Sequence, residues 1–198
     1  AGQVVIRRGT LTMLPITNPL AYRLKQRQGD RNLNRNLRPN PQPADYEDRI
    51  ANVLCPLLDT HQVLLDLHSF HTGGRPFVML GPRDNQGTLE PFAHAAAEER
   101  LAAHLGPTRI VEGWLDTYAK GVRRRRERGG ATALQADPAY GVGTTEYLRA
   151  RGGYAVTLEC GQHDDSAAPE VAYRAIRQTL ALLGIVDAPL QPPAGGFQ

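Results

Sequence analysis

Three short stretches of this chain hold residue types that can do chemistry together. The first is Val63-Leu64-Leu65-Asp66-Leu67-His68, an apolar run that ends in Asp-x-His and is followed by Ser69-Phe70-His71. Residues two apart on a strand share a face, so Asp66 and His68 point the same way. An imidazole leaving a strand end suits a metal ligand, with the neighbouring carboxylate as its support. A histidine that serves packing alone is the alternative. The second stretch is polar and contains Arg27 and Asn32-Leu33-Asn34-Arg35. A guanidinium there can grip a carboxylate through two parallel hydrogen bonds, although asparagines in a loop also make ordinary turns. The third is Thr157-Leu158-Glu159-Cys160-Gly161-Gln162-His163-Asp164. Glu159 lies inside an apolar run, where an acid is costly to bury. A carboxylate in a partly dry cleft can act as a base near neutral pH. A strand-end glutamate paired with an arginine would have the same surroundings in sequence. An anion-gripping loop, a strand-end histidine and a strand-end glutamate together fit metal-assisted hydrolysis of an acidic substrate.

These residues need a scaffold, and the pattern of strands and helices predicts one. Leu11–Ile16 is expected to form a strand closed by the turn Thr17-Asn18-Pro19. Residues 23–44 are polar and expected to be a long loop. Asp45 caps a helix through Ile50, Val53 and Leu54, with Pro56 limiting its end. Val63–His68, Pro76–Leu80, Thr108–Val111 and Tyr154–Cys160 are expected strands. Residues 89–105 are Ala-rich and helical, and Thr144 or Thr145 opens a short helix that stops at Gly152-Gly153. Residues 113–143 are expected to be irregular. Pro169 begins a last helix whose apolar face is Ala172, Ala175, Ile176, Leu180 and Leu183, closed by Gly184. Strands alternating with helices imply an α/β fold with a mixed, largely parallel central sheet flanked by helices. One domain over 1–186 and a disordered Pro/Gly-rich tail over 187–198 complete the expected organisation.

At 198 residues the chain is long enough for a full core, and 41% apolar with 22% charged residues fits a globular protein. No apolar run approaches a membrane span, so no membrane partner is expected. Cys55 and Cys160 are too few for a disulfide framework and fit two buried thiols in a reducing compartment, the cytoplasm. The net charge of +3 is concentrated in Arg123-Arg124-Arg125-Arg126 and Arg128. That block could meet phosphates, but it has no interleaved aromatics for stacking bases. A solvated loop between Gly121 and Gly129-Gly130 is therefore preferred over a nucleic-acid contact.

The order of these motifs resembles the succinylglutamate desuccinylase/aspartoacylase family, within the zinc carboxypeptidase superfamily. The matching pieces are Leu14-Pro15-Ile16-Thr17-Asn18-Pro19, Asn32-Leu33-Asn34-Arg35, Tyr46-Glu47, Leu65-Asp66-Leu67-His68 and Thr157-Leu158-Glu159-Cys160-Gly161. The resemblance covers most of the chain and implies a carboxypeptidase-like three-layer sandwich. It implies Zn2+ as cofactor, with His68 as the third ligand. Asn34 and Arg35 would hold the substrate carboxylate, and Arg27 would polarise the scissile carbonyl. Glu159 would move the proton between attacking water and leaving amine. The implied substrate is a small acidic N-acyl amino acid or peptide.

The family's first two zinc ligands, a His-x-x-Glu pair, have no counterpart in Ala1–Gly9. Three explanations stay open at this level. The chain is a fragment of a longer polypeptide, it has lost the metal, or His71, His163 or Asp164 joins His68 in a remodelled site. An incomplete sheet would leave a strand edge free, which leaves room for a homodimer. A metal-free homologue that binds carboxylates without catalysis is the alternative function.

Overall fold

The computed structural model describes residues 4–83, 85–129, 137–193 and 195. Its centre is a four-stranded sheet formed by β1 (Val63–Phe70), β2 (Phe77–Met79), β3 (Ile110–Val111) and β4 (Tyr154–Gln162), in the order β1-β4-β2-β3. β1 runs parallel to β4 and β2 parallel to β3, while β2 and β4 are antiparallel. The sheet is mixed and largely parallel, as the alternation of elements predicts.

β4 lies between β1 and β2, which pair its two edges, and helices cover both of its faces. On one face Val156, Leu158 and Cys160 pack with Val78, Leu101, Leu105 and Ala175. The helices on that side are α3 (Ala95–Ala103) and α6 (Ala168–Leu182). On the other face Ala155 and Leu64 pack with Ala51, Leu54, Cys55, Leu58 and Leu148. That layer comes from α2 (Tyr46–Asp59) and α5 (Thr144–Ala150). The result is three layers. Leu158 is fully buried at the centre, where truncation to alanine costs roughly 2–5 kcal/mol. Both cysteines are free and buried. Burial pushes each thiol up to about 11, so neither is a thiolate at neutral pH.

Several sequence expectations are corrected. Leu11–Ile16 forms no strand and pairs with none among the described residues. Apolar character alone does not make a strand when no neighbour completes its ladder. Leu11, Met13, Leu14 and Ile16 are accordingly exposed. Just past them, Asn18 caps a short α1 (Pro19–Leu24), its side chain accepting from the Ala21 amide. Pro56 does not end α2, which continues to Asp59. It sits on the exposed side, where water can take the carbonyl that its missing N–H leaves bare. The helix expected over 89–105 is shorter, because Phe92 joins a β-bridge with Asn85. The Arg block is not in a loop. Arg123–Arg126 ride on α4 (Trp114–Glu127), anchored by the buried Val122, with Arg128 as its C-cap, and a 3-10 turn at Pro138–Gly141 follows. Residues 130–136 of the region expected to be irregular lie outside the described residues. So do 194 and 196–198 of the tail, and its described part carries no helix or strand.

β1 ends the sheet on its side, and its outer edge has no strand partner among the described residues. No described helix is long and apolar enough to cross a membrane.

Candidate functional site

The parallel register of β1 and β4 sets Asp66 opposite Thr157 and His68 opposite Glu159. Strand alternation puts all four on the face that Leu64 and Ala155 share with α2 and α5. They lie toward the carboxyl ends of the two strands, where open α/β sheets bind ligands. The pairing slips just beyond them, so that Phe70 meets Gln162.

Asp66 Oδ2 lies 3.0 Å from His68 Nε2 and accepts from the Thr144 hydroxyl at 2.5 Å. Burial would push the Asp66 carboxyl up, but the hydrogen bonds from His68 and Thr144 outweigh it and hold the group below its ordinary value. The same pair sets His68. Burial lowers its proton affinity, the Asp66 hydrogen bond more than restores it, and the imidazole stays above its ordinary value. Glu159 has no such partner. Its Oε2 is buried without a hydrogen bond among the described residues. Burial raises its carboxyl, with the His68 charge pulling the other way.

Thr144 was not visible as a site residue in the sequence, yet it links the two halves of the site. Its amide donates to Asn34 Oδ1 at 2.7 Å, so Asn34 caps α5 while its loop faces the strand ends. The Thr144 amide can only donate, which identifies that atom of Asn34 as the oxygen. Gly143 makes the approach feasible, since a Cβ there would stand 1.9 Å from Asn34 Oδ1.

The loop carrying Arg27, Asn34 and Arg35 has no regular structure and is held by side chains. Glu47, fully buried in the first turn of α2, accepts from Asn18 Nδ2 and from the amides of Gly29, Asp30 and Arg31 at 2.7–3.1 Å. Arg31 donates to Asp45 and Asp48, each at 2.6 Å, and to the Arg35 carbonyl at 2.7 Å. Glu47 belonged to the motif Tyr46-Glu47, but its role as a clasp depends on contacts that no local pattern shows.

Arg27 lies within electrostatic reach of His68, Glu159 and Arg35. Burial, reinforced by the Arg27 charge, draws the Arg35 guanidinium below its ordinary value. Among the described residues neither arginine is ion-paired with a carboxylate. Guanidiniums without a carboxylate partner keep their charge and donors free to attract an anion.

His71 and His163 pair with each other, their ring centroids 5.9 Å apart. His163 Nδ1 contacts Ser69 Oγ at 2.8 Å, and Ser69, next to His68, alternates to the opposite face of β1. Asp164 is exposed in the turn after β4. No three His, Cys, Asp or Glu side chains among the described residues are grouped to hold a metal ion. A zinc site needs three protein ligands. The described residues offer His68 and do not complete one.

The succinylglutamate desuccinylase/aspartoacylase catalytic domain matches residues 2–115. That stretch contains Arg27, Asn34, Arg35, Asp66 and His68, while Glu159 lies beyond it. In fold the chain is similar to a succinylglutamate desuccinylase/aspartoacylase from Rhodobacter sphaeroides, with TM-score 0.69 and 16% identity over 94% of this chain and 50% of that one. It is also similar to the product-bound ectoine utilization protein EutE from Ruegeria pomeroyi, with TM-score 0.68 and 19% identity over 93% and 50%. A Silicibacter succinylglutamate desuccinylase gives TM-score 0.64 and 19% identity over 90% and 48%. The chain spans about half the length of these structures. No curated protein matches it.

Proposed function

The chain belongs to the succinylglutamate desuccinylase/aspartoacylase catalytic-domain family, and from that membership we propose that it hydrolyses an amide bond of a carboxylate-bearing N-acyl amino acid or short peptide. The observation that carries the reading is Glu159. A buried carboxylate oxygen without a partner stands beside His68 in register and within reach of the Arg27 charge. Such a group is built to hold something that arrives with the substrate, and a water is the simplest occupant.

In this reading Arg35 takes the substrate carboxylate through its fork of N–H donors. Asn34, its oxygen committed to Thr144, offers its amide nitrogen. Arg27 faces the scissile carbonyl and stabilises the charge that develops on its oxygen. Glu159 accepts a proton from the attacking water as the C–O bond forms. It returns that proton to the amine as the C–N bond breaks. Burial helps, because a raised carboxyl is a stronger base once ionised. Zn2+ belongs to the proposal only at His68, with further donors supplied from outside the described residues.

Turnover of N-acetyl and N-succinyl amino acids, followed by release of free amine with and without added Zn2+, tests this. Glu159→Gln should lose at least a hundredfold in kcat and keep its affinity for a carboxylate product. Activity within tenfold of the native chain would sink the assignment.

The incomplete donor set favours a second reading, a carboxylate-binding protein without catalysis. It expects the acidic ligand to bind equally well before and after chelation and with Gln at position 159. Chelator-sensitive binding would count against it.

A further inference from the structure

Two arginines of one loop are held in opposite ways. Arg31 is neutralised by Asp45 and Asp48. Arg35 instead has its Cζ 4.9 Å from the centroid of the Trp114 ring and 5.8 Å from that of Tyr118. Its one side-chain hydrogen bond among the described residues goes to the carbonyl of its neighbour Asn34.

The difference has a chemical meaning. A carboxylate partner uses up the in-plane N–H donors of a guanidinium and cancels its charge. A ring face attracts the cation through its quadrupole and touches neither the donors nor the charge. Arg31 is thus a spent arginine that serves structure. Arg35 is immobilised but left unspent.

The rings are themselves fixed. Trp114 Nε1 donates to the Gly141 carbonyl at 3.3 Å, and the Trp114 and Tyr118 centroids are 6.1 Å apart. Tyr118 also stacks with Tyr140 at 6.4 Å. Backbone hydrogen bonds from Asn36 to Tyr140 and from Leu37 to Val142 tie this turn to the Arg35 loop. Helix α4 therefore presents an aromatic wall to a residue contributed by a distant loop.

We propose that Trp114 and Tyr118 are positioning residues for Arg35, holding its guanidinium by their ring faces so that its donor edge stays open to a ligand carboxylate. The inference rests on the reading of Arg35 as a carboxylate grip, and it adds a specificity device on α4 that the site motifs do not contain. The ligand class is a mono- or dicarboxylate whose carboxylate meets the guanidinium edge-on.

Trp114 is the one tryptophan of the chain, so its emission reports on Arg35 without any need for turnover. The experiment titrates the full chain with succinate and with N-acetyl-aspartate, read by Trp114 fluorescence and by calorimetry. The native chain should show a saturable emission change. Arg35→Gln should abolish binding and shift the emission of the unliganded protein. Trp114→Leu and Tyr118→Leu, each checked by thermal melting, should bind the probes roughly 3- to 30-fold more weakly. Trp114→Phe and Tyr118→Phe keep a ring and should restore most of that loss. If neither probe binds, or Arg35→Gln binds as well as the native chain, the carboxylate grip itself fails. If Arg35→Gln abolishes binding while both leucine variants bind normally, the positioning role alone is overturned. Should a leucine variant not fold, an unliganded emission spectrum indifferent to Arg35→Gln would still overturn it.

Discussion

Asp66 engages His68 through Nε2, at 3.0 Å, which leaves Nδ1 as the ring nitrogen available to another group. Thr144 fixes the same carboxylate oxygen, so the carboxylate cannot swing to the other side of the ring without breaking both contacts. The neutral imidazole should therefore carry its proton on Nε2. Nitrogen chemical shifts of His68, measured above its raised pKa, would check this. A neutral ring protonated on Nδ1 would contradict the arrangement, and Asp66→Ala should let the two tautomers mix.

The Glu47 clasp predicts a stability effect far from the chemistry. Its carboxylate accepts four hydrogen bonds, three of them from backbone amides. Glu47→Gln would turn an –NH2 toward those donors. The expected loss is roughly 3 kcal/mol, from weakened charge-assisted bonds and an orphaned donor. It should appear as a lower urea midpoint at unchanged slope. A loss below about 1 kcal/mol would mean that the loop is held by other contacts.

Gly143 and Asn34 should be coupled. A methyl at 143 collides with Asn34 Oδ1, and the backbone there is extended, not left-handed, so space alone decides the outcome. Gly143→Ala should weaken carboxylate binding about tenfold by pushing Asn34 off Thr144. In an Asn34→Ala background the same change should cost little. Additive losses in this double-mutant cycle would reject the coupling.

A buried cluster on the other side of α5 predicts a pH effect. Arg149 is 3% exposed and meets Glu98, Glu90 and Glu146. Glu98 also takes the amides of Gly81 and Ala155. Three acids share one guanidinium. Burial pushes the Glu90 carboxyl up to about 7, although the Arg149 charge opposes it. The native state thus keeps the Glu90 proton where the unfolded chain, near 4.5, has lost it. Stability should fall as pH rises from about 4.5 to about 7 and level off above that. Thermal midpoints of Glu90→Gln should fall less than those of the native chain between pH 5 and pH 8. Parallel curves would dispose of the assignment.

The site was legible where chemistry follows from strand periodicity. Asp66, His68 and Glu159 follow from apolar runs with a misplaced charge, and the parallel pairing of β1 and β4 turns sequence alternation directly into contact. What joins the loop to the strands was not legible. Thr144 and Glu47 act across 16 to 110 positions, Arg31 reaches Asp45 and Asp48 across 14 and 17, and side-chain bonds of that reach leave no periodic trace. α4 was missed for another reason. A run of arginines beside glycines resembles a solvated loop, although Trp114, Tyr118 and Val122 recur every fourth residue on its inner face. The strand expected at Leu11–Ile16 failed because strand propensity is a statement about neighbours as much as about residues.

Among the described residues the outer flank of β1 meets no strand, and this has a consequence unrelated to the pocket. A strand edge pairs through backbone amides and carbonyls, which do not read side chains. It accepts any extended peptide of suitable length, including the same strand of another copy. Where that edge is free, association should strengthen with concentration, and a dilution series followed by sedimentation checks it: a mass that stays constant across the series would show the edge to be closed.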